Sequence, residues 1–145
     1  NKNLIQFHSD IRSNKVRLLK KDATSSLLFY DKKEKIQLRI NVNSKVNYKN
    51  EITEDSWKNT TQMSRKCYLA ENAPGSVSKN PTSGLNPKIE KMSYSLEESE
   101  MGYENFCVIQ CFVEKIEWLY LAAKGHRRLL IDFKNLKKKY SWITP

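Results

Sequence analysis

"IQLRINVNSKV", residues 36–46, alternates. Ile36, Leu38, Ile40 and Val42 fall on one face of an extended chain, and Gln37, Arg39, Asn41 and Asn43 fall on the other. That spacing predicts a long, half-buried antiparallel strand. Just before it, "TSSLLFYD" (24–31) is rich in apolar and aromatic residues and reads as a second strand, with "DKKEK" as the polar turn between them. The two make a β-hairpin, and a hairpin of this length points to a mainly β fold.

Outward from the hairpin, Leu4–His8 reads as the end of a strand. Asn14–Lys21 reads as a short helix, with Val16, Leu18 and Leu19 on its apolar face and basic residues over most of the rest. "TEDSWKNTTQMSRKCYL" (53–69) predicts a helix capped by Thr53, with acids in its first turn. Residues 71–87 hold three of the four prolines and two of the four glycines, so they form a loop of a length that is usually functional or disordered. "SLEESEMGYENF" predicts a short helix with an acidic start. Three β-rich runs follow, "FCVIQCFV", "KIEWLYLA" and "RRLLIDF", and Trp142 in "YSWITP" is expected to pack the tail down. Strands dominate and helices flank them. The expected fold is a small antiparallel barrel with helical decoration, as one domain over 1–145. The chain opens in mid-strand without a methionine, so more strand sequence is expected upstream.

The bulk numbers narrow the function. Hydrophobic residues at 39% and charged residues at 29% fit an ordinary globular chain and exclude disorder. No apolar run approaches the roughly 20 residues that span a bilayer, and the start carries no signal-peptide pattern. The net charge of +10 favours anionic partners: nucleic acid, a phosphorylated ligand or a membrane surface. The competing reading is a lysine-rich surface that only keeps the protein soluble. Of the three cysteines, Cys107 and Cys111 share one predicted strand about 13 Å apart, beyond disulfide reach. An odd count without C-x-x-C spacing argues against a disulfide framework or a zinc site, so buried thiols in a reducing cytoplasm are expected. His8 and His126 are too few for a histidine metal site, and none is expected. H-E-x-x-H, P-loop and G-x-G-x-x-G patterns are absent.

Chemistry concentrates in "SDIRSNK", residues 9–15. Arg12 supplies a fork of donors, Lys15 a point charge, and Ser9 and Ser13 hydroxyls; the amides of Asn14 and Lys15 open the following helix, where orphan N–H groups favour an anion. The set suits a phosphate, and a capped, solvated loop is the alternative. On the polar face of 36–46, the Gln37 amide can donate and accept at the edge of a pyrimidine-like ring, or simply face solvent.

"FHSDIRSNKVRLL", "SSLLFYDKKEKIQLRINVNSKV", "SRKCYLAENAPGS" and "IEWLYL…GHRRL…W…P", in that order and spacing, resemble the pyridoxamine 5′-phosphate oxidase superfamily over nearly the whole chain. The resemblance implies a split β-barrel of Greek-key type that binds FMN at the interface of a homodimer. It assigns Ser9, Arg12, Ser13 and Lys15 to the FMN phosphate and ribityl chain, Gln37 to the flavin ring, and Arg128 to the arginine that the other subunit sends to that ring. The aromatic that precedes this arginine falls on Leu119 or its neighbour Trp118, which point to opposite strand faces. There are departures too. Where the authentic oxidase clamps its substrate phosphate with tyrosine, arginine and serine, this chain has Trp57, Thr61 and Arg65, and "HRRLL" lacks the Arg-x-His pair. The implied function is therefore an FMN-dependent, cytoplasmic oxidoreductase acting on a small molecule, without the vitamin B6 reaction and with no membrane partner. A non-catalytic flavin-binding or redox-responsive protein is the alternative, and a basic nucleic-acid-binding module a third.

Overall fold

The alternating stretch forms β3 (Ile36–Asn47), which pairs antiparallel with β2 (Thr24–Asp31) in a register that sets Tyr30 against Gln37 and Thr24 against Asn43. The hairpin turn is built by Asp31, whose carboxylate accepts the amides of Lys33 and Glu34 at 2.9 Å, and by Lys35 in the left-handed region at φ 55°. This is a computed structural model, and it describes residues 3–133 and 138–145. The remaining strands are β1 (Leu4–Asp10), β4 (Phe106–Tyr120), β5 (Arg127–Asp132) and β6 (Lys139–Ile143). The sheet order is β2-β3-β4-β5-β6, and β1 also pairs with β4.

The chain divides into two compact units. One comprises Asn1–Ile5, Asp22–Lys45 and Cys111–Pro145. It carries the hairpin and the antiparallel ladder β4-β5-β6, with Ile40, Val42 and Cys111 buried. The other comprises Gln6–Lys21 and Val46–Gln110 and carries the helices. Its core is Trp57, Tyr68, Phe106 and Val108, with Ile52 and Tyr103 packed against them. Trp57 meets Phe106 at 5.0 Å between ring centroids and Tyr68 at 5.9 Å, so aromatic contact supplies much of this core. Gly102 lies where a Cβ would come within 3.2 Å of the Trp57 ring and of Tyr68 Cβ, which is why that turn has no side chain.

The predicted helix at 53–69 is broken in two: α2 (Glu51–Lys58) and α3 (Gln62–Arg65), followed by a 3-10 turn at Lys66–Tyr68. The break comes at Thr61, which adopts extended backbone and caps α3 by accepting the Ser64 amide. Thr53 does not cap α2. Asn50 does, and Thr53 returns the bond to the Asn50 amide as the third residue of a capping box. α1 (Asn14–Lys21) has the predicted bounds, and short helices α4 (Pro87–Glu90) and α5 (Leu96–Ser99) follow the long loop.

Two of the predicted strands are one. Nothing in "QCFVEKIEW" has a turn-forming glycine or proline, and β4 runs unbroken for 15 residues. The tail is not held by a buried tryptophan. It is strand β6, hydrogen-bonded to β5, and Trp142 is 70% exposed. The cysteines are free, and Cys107 and Cys111 are buried as expected, but Cys67 is exposed.

Candidate functional site

The 9–15 loop is a tight turn between β1 and α1, closed by the Ser13 amide donating to the Asp10 carbonyl at 3.0 Å. Ser9 and Ser13 are buried, and their hydroxyl oxygens lie 3.3 Å apart. The Ser13 carbonyl accepts from Val16 and Arg17, which places the amides of Asn14 and Lys15 in the first turn of α1, without intrahelical acceptors. Lys15 is exposed and makes no ion pair among the described residues; its ammonium lies 5.9 Å from the Phe7 ring centroid. Two hydroxyls, two helix-start amides and an exposed ammonium are therefore carried by one turn and the helix start that follows it.

Arg12 is used differently. Its Nε and Nη2 donate to the two oxygens of Asp10 at 3.0 and 2.7 Å, a bidentate pair, and its backbone amide donates to the same carboxylate at 2.8 Å. The guanidinium also reaches the carbonyl of Ala70 at 3.1 Å and that of Glu71 at 3.4 Å. Asp10 is only 6% exposed, so its charge is neutralised by Arg12. Asp10 was missed in the sequence, although an Asp two residues before an Arg in a turn is the pattern of a side chain that caps its own loop. Neighbouring groups stiffen the strand end. Cys107 donates its S–H to the Ser9 carbonyl at 3.1 Å, and burial pushes the Cys107 thiol up to about 11. His8 meets Ser56 at 2.8 Å, and burial lowers its pKa.

Gln37 and Arg128 are brought together on the ladder. With Arg39, Glu117, Leu119 and His126 they line a cavity of about 210 Å³. Arg128 stands opposite Leu119 in the register, so the two share a face. Trp118 points the other way, stacked on Tyr120 at 6.1 Å and edge-on to Trp142 at 6.4 Å. Among the described residues it is Leu119, not Trp118, that shares a cavity with Gln37. Glu117 is the second residue missed. Arg128 donates to its Oε2, and the Arg39 Nη1 is 3.9 Å from the same oxygen.

Trp57, Thr61 and Arg65, which the resemblance sets at the oxidase's substrate-phosphate positions, are occupied with the fold. Trp57 is core, and its indole N–H donates to Glu100 at 2.7 Å. Thr61 is a cap. Arg65 is 4% exposed; it donates to Ser99, to the Trp57 carbonyl at 2.9 Å and to Glu100, and its guanidinium carbon lies 4.6 Å from the Trp57 ring centroid. The long loop is closed at its neck by the Glu71 amide donating to the Gly84 carbonyl at 2.9 Å, and residues 67–84 line a cavity of about 440 Å³ without a charged side chain. No group of three or more His, Cys, Asp or Glu is placed to hold a metal among the described residues. Among them, too, no helix is long and apolar enough to cross a membrane.

No protein-family model matches the sequence, and no curated protein matches it. Solved structures do match in fold. A pyridoxamine 5′-phosphate oxidase-related, FMN-binding protein from Nostoc punctiforme PCC 73102 is similar with a TM-score of 0.77 at 16% identity, over 99% of this chain and 74% of that one. PhzG from Burkholderia lata 383, solved with tetrahydrophenazine-1-carboxylic acid, is similar with a TM-score of 0.69 at 14% identity, over 100% of this chain and 70% of that one. With its antiparallel sheet and flanking helices, the chain has the mainly β, split-barrel fold of the pyridoxamine 5′-phosphate oxidase-like proteins, as the resemblance of its motifs implied.

Proposed function

We propose that this protein binds FMN as a single domain and works as a homodimeric, cytoplasmic oxidoreductase on a small-molecule substrate. The observation that carries the reading is the 9–15 turn. On a fold shared with an FMN-binding protein, it carries two buried hydroxyls, the first amides of α1 and an ammonium with no acid partner among the described residues. Those groups fit a phosphate monoester, which needs several short donors and a cation to offset its desolvation. Lys15, Ser9 and Ser13 take the phosphate and the start of the ribityl chain, and Arg12 shapes the turn around them. Gln37 offers an amide that both donates and accepts to the ring edge, and Arg128 offers a positive charge to a ring. Once bound, the flavin supplies hydride acceptance at N5; the protein supplies position and field.

A second copy has surface to cover. Leu28, Phe29, Tyr30, Tyr140 and Trp142 are each about half exposed or more, with Leu28 at 64%. Exposed apolar side chains in that number favour association. Free thiols suit a reducing compartment. The purified protein is expected to be yellow or to take up added FMN with quenching of flavin fluorescence, and to scatter light as a dimer. Failure to perturb FMN at high protein concentration would overturn the reading, and the mass of one chain with flavin bound would overturn the dimer. Steady-state turnover with reduced nicotinamides and common acceptors separates an enzyme from a flavin carrier.

A further inference from the structure

The cavity around Gln37 holds a carboxylate between two guanidiniums. Glu117 stands opposite Leu130, and Arg128 stands opposite Leu119, so Glu117 and Arg128 are diagonal neighbours on one face of the β4-β5 ladder. Arg128 closes that diagonal with a hydrogen bond to Glu117 Oε2. Arg39 approaches the same oxygen from β3, at 3.9 Å. Glu117 is 20% exposed and Arg128 29%, so both are partly shielded, whereas Arg39 at 51% is freer. Two positive charges and one negative thus meet beside a cavity of about 210 Å³, which His126 and Pro145 also line. As an ordinary cross-strand ion pair this cluster would add slightly to stability and do nothing else.

We propose that Glu117 is a positioning residue that fixes the Arg128 guanidinium and offsets its charge, thereby setting the reduction potential of the flavin that Arg128 reaches. The inference rests on the FMN reading and goes beyond it. An isoalloxazine ring gains negative charge when it is reduced, so a fixed positive charge beside it favours the reduced form. In a partly shielded site that preference is larger than in water. Glu117 offsets half of the positive charge that Arg39 and Arg128 bring. It therefore keeps the potential lower than the two arginines alone would make it, and it keeps Arg128 in one orientation.

The test is the midpoint potential of the bound flavin, measured by equilibration with reference dyes, after titration has established that each variant is loaded. Glu117→Gln keeps the shape and removes the charge, and its potential is expected to move positive. Arg128→Met is expected to move it negative. Glu117→Asp keeps the charge but withdraws it from Arg128 by one methylene; it is expected to move the potential in the same direction as Glu117→Gln, by less, and it serves where Glu117→Gln does not fold. A purely structural pair would change the melting temperature and leave the potential alone. Potentials of Glu117→Gln and Glu117→Asp equal to wild type, with flavin bound, overturn the inference while leaving FMN binding intact. Wild-type protein that takes up no FMN overturns the FMN reading and this inference with it.

Discussion

At the scale of single residues, the two cations of the 9–15 turn separate. Lys15 is exposed and makes no ion pair among the described residues, so on the proposed FMN reading Lys15→Ala removes a ligand contact and little else. A charge-assisted contact is worth roughly 1.5–3 kcal/mol, or about ten- to a hundredfold in FMN affinity. The melting temperature of the flavin-free protein should hardly move. Arg12→Ala strands Asp10, which is 6% exposed, and frees the carbonyls of Ala70 and Glu71. That loss is expected to cost about 1–3 kcal/mol of stability without any ligand present. Fluorescence titration beside urea unfolding distinguishes the two, and equal losses of affinity and stability in both variants would contradict this division. The sequence made both residues visible as cations in a polar turn, but which one was free depended on Asp10 and on carbonyls nearly sixty residues away. The thiols divide as well. Cys67 is exposed, while Cys107 is buried and pushed up to about 11. At about pH 8 a thiol reagent should label Cys67 quickly and Cys107 only on unfolding, since the thiolate is the reacting form. Rapid labelling of Cys107 in the native protein, read by peptide mass, would show the site to be open.

Among the elements, the α2-α3 pair shows how a capping residue overrides a helical pattern. The stretch 53–69 predicts one helix, yet Thr61 is the cap of a new one. A threonine reads the same in a sequence whether it caps or continues a helix, because the choice depends on what the next turn packs against. Here the next turn buries Arg65 over the Trp57 ring. The hairpin was legible because alternation with period two needs no tertiary information. The length of β4 was not, because "VEK" in its middle is as polar as a turn and only the absence of glycine and proline marked it as continuous. The Trp57–Arg65–Glu100 cluster has a pH consequence. The Trp57 indole N–H, and then the Arg65 guanidinium, hold the Glu100 carboxyl below its usual value of 4.5. A carboxyl lowered in the folded state contributes stability that is present above 4.5 and lost as pH falls through the folded value. Glu100→Gln should therefore flatten the acid limb of the stability curve, with little change near neutral pH beyond a modest loss, because Glu100 is half exposed. Unfolding followed by tryptophan fluorescence between about pH 3 and 7 measures this; an acid limb identical to wild type would show that the cluster carries no linked proton.

The whole molecule joins the split-barrel fold to three residues, Trp57, Thr61 and Arg65, that depart from the set the resemblance assigns to a substrate phosphate. The strand order and the flanking helices agree with the fold that the resemblance implies. The positions that the resemblance gives to a substrate-phosphate clamp carry side chains engaged in the fold. A clamp needs an arginine and hydroxyls free to converge on one point, because an unpaired dianion is costly to desolvate. Trp57 is 4% exposed and already donates its indole N–H to Glu100. Thr61 is held as the cap of α3. Arg65 is buried, and its Nη1 and Nη2 are taken by Ser99, Glu100 and the Trp57 carbonyl. Opening Arg65 toward a ligand would break those bonds and its packing on Trp57, at a cost of several kcal/mol, comparable to the gain from a phosphate contact. Near β5, Arg127 is turned back on the carbonyls of Gly125 and His126, and no Arg-x-His pair is present. On that assignment pyridoxamine phosphate is expected to find neither anchor, and misplacement by about 1 Å alone can cost roughly a hundredfold in rate. The flavin-loaded protein, supplied with saturating pyridoxamine phosphate and oxygen, is expected to release peroxide at least a hundredfold more slowly than an authentic oxidase assayed beside it. Arg65→Met should leave that low rate where it is while lowering stability, since the guanidinium serves the core. Turnover near that of the authentic oxidase, abolished by Arg65→Met in protein that remains folded, would mean that the guanidinium leaves Glu100 for the substrate.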